Sequence, residues 1–386
     1  MHILIAPNAF KHAIDAATAA EAIRHGLQAS RLSFTSECFP IGDGGNGTCQ
    51  LIVDRLQGQP VEVPVLDPLG RPLTAVFGIV DGRKMAVIEM ANASGLHLLE
   101  PTELDPLHAQ SYGTGQLIRA ALDHGAEEII IGMGGSATVD GGSGMLRALG
   151  ARFIDGAGEE IIDLPAGLEA LRTIDLSGLD ERLRRVRITV LCDVGNPLLG
   201  QNGAAYVFGP QKGASTAQVK QLDHWLARYA SVIQGIMGVD ISTRPAGGVA
   251  GGASAGMAGV LGATLVNGID YFLDLTRFDA ALSKSHLVIT GEGSIDSQTL
   301  QGKGPYGVAS RAKRIGIPVI GLAGNIPVAV SAELSAYFDT LLAIGNRPSS
   351  LEDALTATAD NLARTATQLG NLLALSSMSG NKSVIV

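Results

Sequence analysis

The chain opens on the stretch Met1-His2-Ile3-Leu4-Ile5-Ala6-Pro7-Asn8-Ala9-Phe10-Lys11. The apolar run at 2–6 predicts a short buried β-strand, and the polar residues that follow it predict a loop. The next apolar side chains recur at spacings of three and four residues, which predicts a helix; they are Ala16, Ala20, Ile23 and Leu27. This order of strand, loop and helix is the repeating unit of an α/β fold with a parallel sheet.

The same unit recurs once more near the start of the chain and three times near its end. Residues 33–41 predict a second strand, which a glycine loop and a helix follow. The last hundred residues predict strands at 286–290, 318–323 and 340–344, with helices near 305–315, 331–337 and 350–376. Neither piece makes a stable sheet alone, so together they predict one doubly wound α/β domain with a five-stranded parallel sheet, formed by 1–60 and 286–386.

The segment between these pieces, 61–285, predicts a second, inserted α/β domain with a mixed sheet. Residues 61–90 alternate apolar and polar side chains between two turn signals, which favours antiparallel strands. From about residue 113 helices, strands and glycine loops return, which favours parallel pairing. The strands are predicted at 128–132 and 187–192, and a long helix is predicted at 216–237.

The composition excludes several classes of protein. Glycine supplies 50 of the 386 residues and only 17% are charged, against averages of about 7% glycine and about 25% charged residues. The net charge of −9 and the lack of a basic tract argue against a nucleic-acid partner. No apolar run approaches the ~20 residues of a membrane span, and the start of the chain lacks the features of a signal peptide. The three cysteines are few, odd in number and without metal-ligand spacing, which favours a reducing compartment over a disulfide framework. Together with the lack of an apolar span, this predicts a cytoplasmic protein with no membrane partner.

The glycines concentrate in four loops, at 42–47, 132–144, 247–256 and 291–304. Three of these loops follow predicted strands, and the carboxyl ends of parallel strands are where open α/β sheets bind ligands. Glycine exposes backbone N–H groups, which hold phosphate oxygens well at the start of a helix. The loop at 132–144 is the densest, and we predict that it binds phosphate through Gly134, Gly135, Ser136, Thr138, Gly141 and Gly142. Asp140 in the same loop fits either a helix cap or a metal ligand.

Known nucleotide-binding motifs are missing, with one weak exception. Neither the P-loop pattern nor the protein-kinase signatures occur. Residues 42–47 match Gly-x-Gly-x-x-Gly between a predicted strand and a predicted helix, which is the pattern of a dinucleotide site. No ribose-binding acid follows about 20 residues later, so this match alone supports only an alternative function, a dinucleotide-dependent dehydrogenase of small hydroxy acids.

Candidate catalytic groups also lie at the ends of predicted strands. Asp193 follows the strand at 187–192, although an aspartate beside Asn-Pro is also common in turns. Glu292 and Asp296 follow the strand at 286–290. Phosphoryl transfer needs a carboxylate for the attacking hydroxyl, oxygen ligands for Mg²⁺ and a cation against the developing charge. Asp193, Asp296 and Lys11 supply these residue types. We favour Asp193 as the carboxylate that positions the hydroxyl, with Asp296 as the alternative or as the metal ligand, although the sequence does not separate the two roles.

Several long stretches carry a family resemblance; they are 5–11, 42–48, 89–96, 113–115, 132–145, 192–198, 208–214 and 289–304. In sequence and in order they resemble the bacterial glycerate kinase family, over almost the full chain. The resemblance implies transfer of phosphate from ATP, with Mg²⁺, to a hydroxyl of D-glycerate, and favours the 2-hydroxyl. It also implies a flavodoxin-like first domain that carries an inserted second one.

The resemblance implies roles for particular residues. The acceptor would contact Asn8, Asp43, Ser294 and Gln298, and the metal would be held by Asp193, Asp296 and Glu292. The chain departs from the commonest family pattern in three places: Asn8-Ala9 replace Asp-Ser, Asn46 replaces Glu, and Ser294 replaces Arg. Because arginine binds carboxylates bidentately, these departures leave a related small hydroxy acid as an alternative acceptor. A non-catalytic sugar-acid-binding protein is a further alternative.

Overall fold

The computed structural model describes residues 1–379, which form strands, helices and short 3₁₀ turns. The strands are β1 (His2–Ile5), β2 (Thr35–Cys38), β3 (Gln59–Leu66), β4 (Pro72–Val80), β5 (Met85–Glu89), β6 (Glu128–Gly132), β7 (Arg152–Asp155), β8 (Leu171–Asp175), β9 (Arg187–Cys192), β10 (Thr264–Asn267), β11 (Leu287–Ser294), β12 (Val319–Asn325) and β13 (Thr340–Ala343). The helices are α1 (Ala16–Gln28), α2 (Thr48–Arg55), α3 (Ala91–Ser94), α4 (Tyr112–Asp123), α5 (Ser143–Ala148), α6 (Ala204–Phe208), α7 (Thr216–Met237), α8 (Ala253–Leu261), α9 (Gly268–Leu275), α10 (Phe278–Leu282), α11 (Gly304–Arg314), α12 (Ala332–Tyr337), α13 (Leu351–Thr356) and α14 (Thr358–Ser379).

A five-stranded parallel sheet joins the two ends of the chain in the order β13-β12-β11-β1-β2. In sequence order within this sheet the strands run 2-1-3-4-5, which is the flavodoxin-like arrangement. The predicted sheet of two early and three late strands is therefore confirmed. Its carboxyl edge, where the ends of β1, β2 and β11 meet, is the edge at which such sheets bind ligands.

Helix α1 shows how the opening sequence covers this sheet. The helix begins after Asp15, whose carboxylate accepts a hydrogen bond of 2.7 Å from the Thr18 N–H. Such a cap satisfies one of the N–H groups that a helix start leaves open. The residues that α1 buries share one face and include Ala16, Ala20, Ile23 and Leu27. This face packs among the apolar side chains of the sheet and against α14.

The second sheet has six strands in the order β10-β9-β6-β5-β4-β3. Strands β3, β4 and β5 pair antiparallel, whereas β5, β6, β9 and β10 pair parallel, so the sheet is mixed as the sequence predicts. Strands β7 and β8 form a separate two-stranded sheet. The carboxyl ends of β5, β6 and β9 lie side by side, because Glu89 pairs with Gly132 and Gly132 pairs with Leu191.

Two helices of 22 residues, α7 and α14, are the longest that the structure describes. Helix α7 starts at a capping box formed by Ser215 and Gln218 and stops at Gly238, whose φ of +68° ends the helix with a left-handed residue. Helix α14 follows α13 after a break at Ala357, where the sequence predicts one continuous helix. Within residues 1–379, no helix is both long enough and apolar enough to cross a membrane.

The chain divides into two compact units, with 1–43 and the chain from 269 onward in the first and 44–268 in the second. The sequence places these boundaries further along the chain, after 60 and after 285. Helix α2 packs against β4, β5 and β6 and so belongs to the second unit. Arg311 of α11 holds the segment after 268 in the first unit, since its guanidinium contacts Asp274 at 2.7 Å and Asp279 at 3.3 Å.

Strand β11 is longer than predicted, because it continues through Gly291-Glu292-Gly293 to Ser294. From the sequence alone, the glycines at 291 and 293 predict a loop here, since glycines usually mark turns. In the sheet, Gly291 pairs with Leu322, and a Cβ atom at Gly291 would lie 2.2 Å from the Leu322 carbonyl oxygen. The glycine is therefore needed for a close approach between two strands rather than for a turn.

Candidate active site

A polar cluster lies at the carboxyl edge of the five-stranded sheet in the first unit. Asn8 follows β1, Asp43 follows β2, and Glu292 lies near the end of β11. The Asn8 amide Nδ2 donates to Asp43 Oδ2 at 2.8 Å, and the Asn8 Oδ1 accepts from the Ala9 N–H at 2.8 Å. The departure from the family's Asp-Ser thus places an amide where two carboxylates would otherwise face each other.

Glu292 is the most perturbed acid of this cluster. The residue is only 9% exposed, and burial raises the pKa of its carboxyl to about 7, although the positive charges of Lys303 and Lys11 act in the opposite direction. Its Oε1 accepts a hydrogen bond of 3.0 Å from the Thr299 hydroxyl. A carboxyl with a pKa near neutrality, inside a cluster of charges, is typical of a functional site.

Asp296 forms the turn that leads away from β11. Its Oδ1 accepts from the Gln298 N–H at 2.8 Å, and its own N–H donates to Thr299 Oγ1 at 3.1 Å. Because Thr299 in turn donates to Glu292, the Asp296 turn also fixes the hydroxyl that orients that carboxyl. Asp296 therefore has a structural function in this loop, beside the catalytic or metal-binding role that the sequence predicts.

The remaining predicted residues of the first unit differ in exposure. Lys11 and Gln298 are exposed. Ser294 is half-buried, and its hydroxyl accepts from the Asn325 amide at 3.2 Å, across the pair of strands β11 and β12. The structure thus brings these residues together with Asn8, Asp43 and Glu292 at one edge of one sheet, and adds Lys303 and Thr299, which the sequence analysis did not single out.

The second unit carries the loop 132–144 at the end of β6. Only Gly134 and Gly135 of this loop are accessible to solvent, whereas Ser136, Thr138 and the following residues are buried. The Gly134 N–H donates to the Gly44 carbonyl at 3.1 Å, and Gly135 has a φ of +71°. The positive φ favours glycine at 135, and a Cβ at Gly134 would lie 2.5 Å from the Gly45 Cα, so this exposed edge of the loop requires glycine.

Asp140 fills the helix starts behind this edge. The carboxylate is fully buried and accepts from the Ser111 hydroxyl at 2.6 Å and the Ser111 N–H at 2.8 Å, at the start of α4. It also accepts from the N–H groups of Gly142 at 3.0 Å and Gly144 at 3.2 Å, at the start of α5. Of the two roles predicted for Asp140, the contacts are therefore those of a helix cap. Because these N–H groups already have an acceptor, the start of α5 is closed to a phosphate in this structure.

The other predicted phosphate-binding residues act from inside the protein. The Gly141 N–H donates to the Gly251 carbonyl at 3.0 Å, which ties the loop 132–144 to the loop 247–256. Ser136 Oγ accepts a hydrogen bond of 2.8 Å from the Lys212 ammonium, and the Thr138 carbonyl accepts one of 2.7 Å from the same group. The loop thus consists of an exposed edge, Gly134–Gly135, and a buried support.

Asp193 follows β9 at the same edge of the mixed sheet and is half-buried. The residues after it are tied to the loop 247–256, since the Gly195 and Asn196 carbonyls accept from Ala246 at 3.1 Å and Gly248 at 2.8 Å. Burial, and next the negative charge of Asp193, raise the pKa of the Cys192 thiol to about 12. Asp193 is therefore held on a fixed backbone beside an unreactive thiol.

Glu89 is an acid at this edge that the sequence analysis placed only in a family motif. The side chain is 8% exposed, and its Oε1 accepts a hydrogen bond of 2.7 Å from the Gly47 N–H, at the start of α2. Burial raises the pKa of Glu89. The residue also lines a cleft of about 180 Å³ with Val76, Phe77 and Asn92. The sequence does carry a signal for this residue, because Glu89 is a charged residue at the end of an otherwise apolar, buried strand.

The Gly-x-Gly-x-x-Gly match at 42–47 lacks the surroundings of a dinucleotide site. In such a site the strand, the glycine loop and the helix belong to one βαβ unit. Here the strand before the loop, β2, belongs to the five-stranded sheet, whereas α2 packs on the mixed sheet. The structure therefore removes the basis for the dehydrogenase alternative.

The described residues contain no cluster of three or more His, Cys, Asp or Glu side chains arranged to hold a metal ion. Asp193 belongs to the second unit, and Asp296 and Glu292 belong to the first. Each offers oxygen atoms, the ligand type that Mg²⁺ prefers, and kinases usually hold Mg²⁺ with one or two carboxylates together with substrate phosphates. Each of these carboxylates, taken by itself, is therefore of a ligand type compatible with Mg²⁺ bound through a nucleotide.

Comparisons with known proteins agree with these features. The family model described as the glycerate kinase family matches residues 3–374. A glycerate kinase of Bacillus subtilis strain 168 is 45% identical over 95% of this chain and 96% of its own length. A glycerate 2-kinase of Escherichia coli K12 is 43% identical over 97% of this chain and 98% of its own. A crystal structure described as that of a glycerate kinase 2 from Salmonella typhimurium LT2 superposes with a TM-score of 0.83 at 44% identity, covering 98% of this chain and 99% of that one. The chain belongs to the glycerate kinase family.

Proposed function

We propose that this protein transfers the γ-phosphoryl group of ATP to the 2-hydroxyl of D-glycerate and releases ADP and 2-phosphoglycerate. The observation that carries the proposal is membership of the glycerate kinase family over nearly the whole chain, with a relative named as a glycerate 2-kinase. The arrangement of carboxylates, lysines and glycine loops at strand ends supports it, because phosphoryl transfer depends on positioning and on charge stabilisation.

The acceptor is proposed to bind at the polar cluster of the first unit. Glycerate carries a carboxylate, and Lys11 and Lys303 supply positive charge beside Glu292. Asn8, Asp43, Ser294 and Gln298 offer amide, carboxylate and hydroxyl groups for the two hydroxyls of glycerate. Where the family has an arginine, this chain has Ser294, so the lysines would have to bind the glycerate carboxylate. A lysine binds a carboxylate as a point charge without the fixed geometry of arginine, so the carboxylate would be held with a looser orientation.

The donor is proposed to bind at the second unit, with the ATP phosphates at Gly134 and Gly135. The remaining predicted residues, Ser136, Thr138, Gly141 and Gly142, are proposed to support this edge from behind. Bound Mg²⁺ would neutralise charge on the β- and γ-phosphates, with Asp193 or Asp296 as its protein ligand. The other aspartate would accept the proton of the attacking glycerate hydroxyl. As it does so, the hydroxyl oxygen bonds to the γ-phosphorus and the bond between the γ-phosphorus and ADP breaks.

The product identifies the hydroxyl that reacts. We expect ³¹P NMR after incubation with ATP, Mg²⁺ and D-glycerate to show a doublet from phosphate on a secondary carbon, as in 2-phosphoglycerate. Lactate, which keeps the 2-hydroxyl and lacks the 3-hydroxyl, serves as a matched acceptor beside 3-hydroxypropionate. A 3-phosphoglycerate product, or turnover with 3-hydroxypropionate alone, would overturn the assignment of the 2-hydroxyl.

Asparagine variants separate the two aspartates. Asp296→Asn keeps the Oδ1 that accepts from Gln298, so the turn persists while the charge is lost. We expect Asp193→Asn to lower kcat by roughly 10²–10⁴, the range for a lost general base. If Asp193→Asn leaves kcat intact and Asp296→Asn lowers it, the two roles are exchanged.

A further inference from the structure

Lys212 is a buried lysine for which the proposed reaction has so far supplied no role. It closes the 3₁₀ turn Pro210–Lys212 and is only 2% exposed. Its ammonium donates to Ser136 Oγ at 2.8 Å and to the Thr138 carbonyl at 2.7 Å. Lysine is almost never fully buried unless its charge is compensated, so its position between two acceptors requires an explanation.

Both hydrogen bonds of the Lys212 ammonium named above are made with the buried support of the glycine loop. Among the residues that the structure describes, Thr138 Oγ1 is buried without a hydrogen-bond partner, so the Thr138 segment is tied to Lys212 through its carbonyl rather than through its own hydroxyl. Burial lowers the pKa of the Lys212 ammonium to about 7, and the negative charge of Asp140, which caps α4 and α5 from the glycine loop, opposes this shift and favours the charged form. Protonated Lys212 and Asp140 are therefore opposite charges that are both buried at the support of the glycine loop, Asp140 within the loop and Lys212 in the turn that packs on it.

Ser136 connects this pair to the exposed edge. It directly follows Gly135, and it pairs across an isolated bridge with Gly95, beside the Leu96 N–H that donates to the Gly135 carbonyl at 2.8 Å. A charged donor on Ser136 Oγ holds the side chain more strongly than a neutral one would. It also places a positive charge directly behind the two residues at which the ATP phosphates are proposed to bind.

We infer that Lys212 is the positioning residue of the nucleotide-binding edge: it fixes Gly134 and Gly135 through Ser136 and Thr138, and its charge contributes to polyphosphate affinity. This role rests on the proposed binding of ATP at this edge. Lys212 itself need not touch the nucleotide, because its two contacts are with the loop. Loss of the ammonium is therefore expected to weaken ATP binding and to leave glycerate binding unaffected.

Three variants test the inference: Lys212→Met, which keeps the aliphatic stem, Ser136→Ala, and the double variant. ATP dissociation constants are measured by isothermal titration calorimetry, and KM for ATP, KM for glycerate and kcat by ADP release. We expect Lys212→Met to raise both ATP constants by about tenfold to hundredfold, the range for a lost charge-assisted hydrogen bond. Ser136→Ala is expected to raise them less, and the double variant no more than Lys212→Met, because the two residues act through one contact.

A control variant and the results that would overturn the role of Lys212 can be separated from a failure of the proposed function. Tyr229→Phe removes a buried hydroxyl that has no hydrogen-bond partner within residues 1–379, on a ring that lies close to Gly141 of the same loop, and it is expected to leave every constant unchanged. A Lys212→Met or Ser136→Ala protein that is folded and binds ATP as the wild type does would overturn the inference. If Lys212→Met does not fold, Ser136→Ala and Lys212→Arg carry the test. A wild-type protein that binds ATP without phosphorylating glycerate would contradict the proposed function and leave this test in force.

Discussion

Glu292→Gln tests how the acidic cluster couples the stability of the first unit to pH. Burial raises the pKa of Glu292 to about 7, whereas the ordinary value is 4.5. Between these values the native protein keeps a proton that the unfolded chain has released, so the free energy of unfolding falls as the pH rises. The free energy of unfolding is undiminished below pH 4.5. Above pH 7 its decrease is complete and amounts to about 3 kcal/mol for a pKa shift of this size.

Glutamine keeps the oxygen that accepts from Thr299 and does not titrate. We therefore expect Glu292→Gln to be more stable than the wild type at pH 8, by up to about 3 kcal/mol, and similar to it near pH 4.5. The single tryptophan, Trp225, lies in the second unit, so its fluorescence follows the unfolding of that unit. Amide hydrogen exchange in peptides that cover β1 and β11, corrected for intrinsic rates, measures the first unit directly.

Urea unfolding followed by Trp225 fluorescence reports on the second unit and is recorded for both proteins at each pH, beside the exchange data for the first unit. An equal pH dependence of exchange in β1 and β11 for wild type and Glu292→Gln would refute the assignment of a buried, protonated carboxyl. A variant that is less stable than the wild type at pH 8 would refute it as well, because the ionised carboxylate would then be stabilising.

Three further predictions concern the second unit. Asp140→Ala leaves the starts of α4 and α5 without their acceptor, so urea titration of Trp225 fluorescence should show a loss of about 3–5 kcal/mol; a loss below 1 kcal/mol would contradict the double cap. Gly251→Ala places a Cβ 2.0 Å from the Thr138 carbonyl oxygen and should abolish the cooperative urea transition of Trp225 fluorescence. Gly262→Ala, at a residue that is also left-handed but has open space around it, should cost about 1–2 kcal/mol. Burial lowers the pKa of Lys212 to about 7 from 10.5, so the wild type should gain stability relative to Lys212→Met between pH 7 and pH 9; parallel pH profiles would exclude this titration.

The strands and helices were predictable because their patterns are local. The apolar runs of β1 and β9 and the three- and four-residue spacing of α1 report burial directly. Strand β11 shows the limit of this reasoning: glycine has a low strand propensity, and only the adjacent β12 reveals why Gly291 lies in the sheet. The division of the chain depended in the same way on α2, whose partners cannot be read from its own sequence.

The sequence predicts where the candidate site lies better than it predicts what each of its residues does. Sequence order placed the glycine loops at strand ends, but it could not show that Asp140 would fill the start of α5 or that Gly134 and Gly135 alone would reach solvent. Lys212 lies in a conspicuous Gly-Pro-Gln-Lys-Gly stretch, yet its contacts are with residues 74 and 76 positions away. Contacts over such separations are set by tertiary packing, which a local pattern does not contain.

The interruption of the five-stranded sheet has a consequence for synthesis on the ribosome. Strand β1 leaves the ribosome first, but its neighbour β11 follows only after the whole of the second unit, which at 5–20 residues per second means a delay of about 15–60 s. During that time β1 and β2 have at most each other, and a pair of strands is marginally stable in water. The continuous segment 44–268 can complete its own sheet meanwhile. The inserted unit therefore folds first, and the nascent first unit needs protection from aggregation until the end of its own chain emerges.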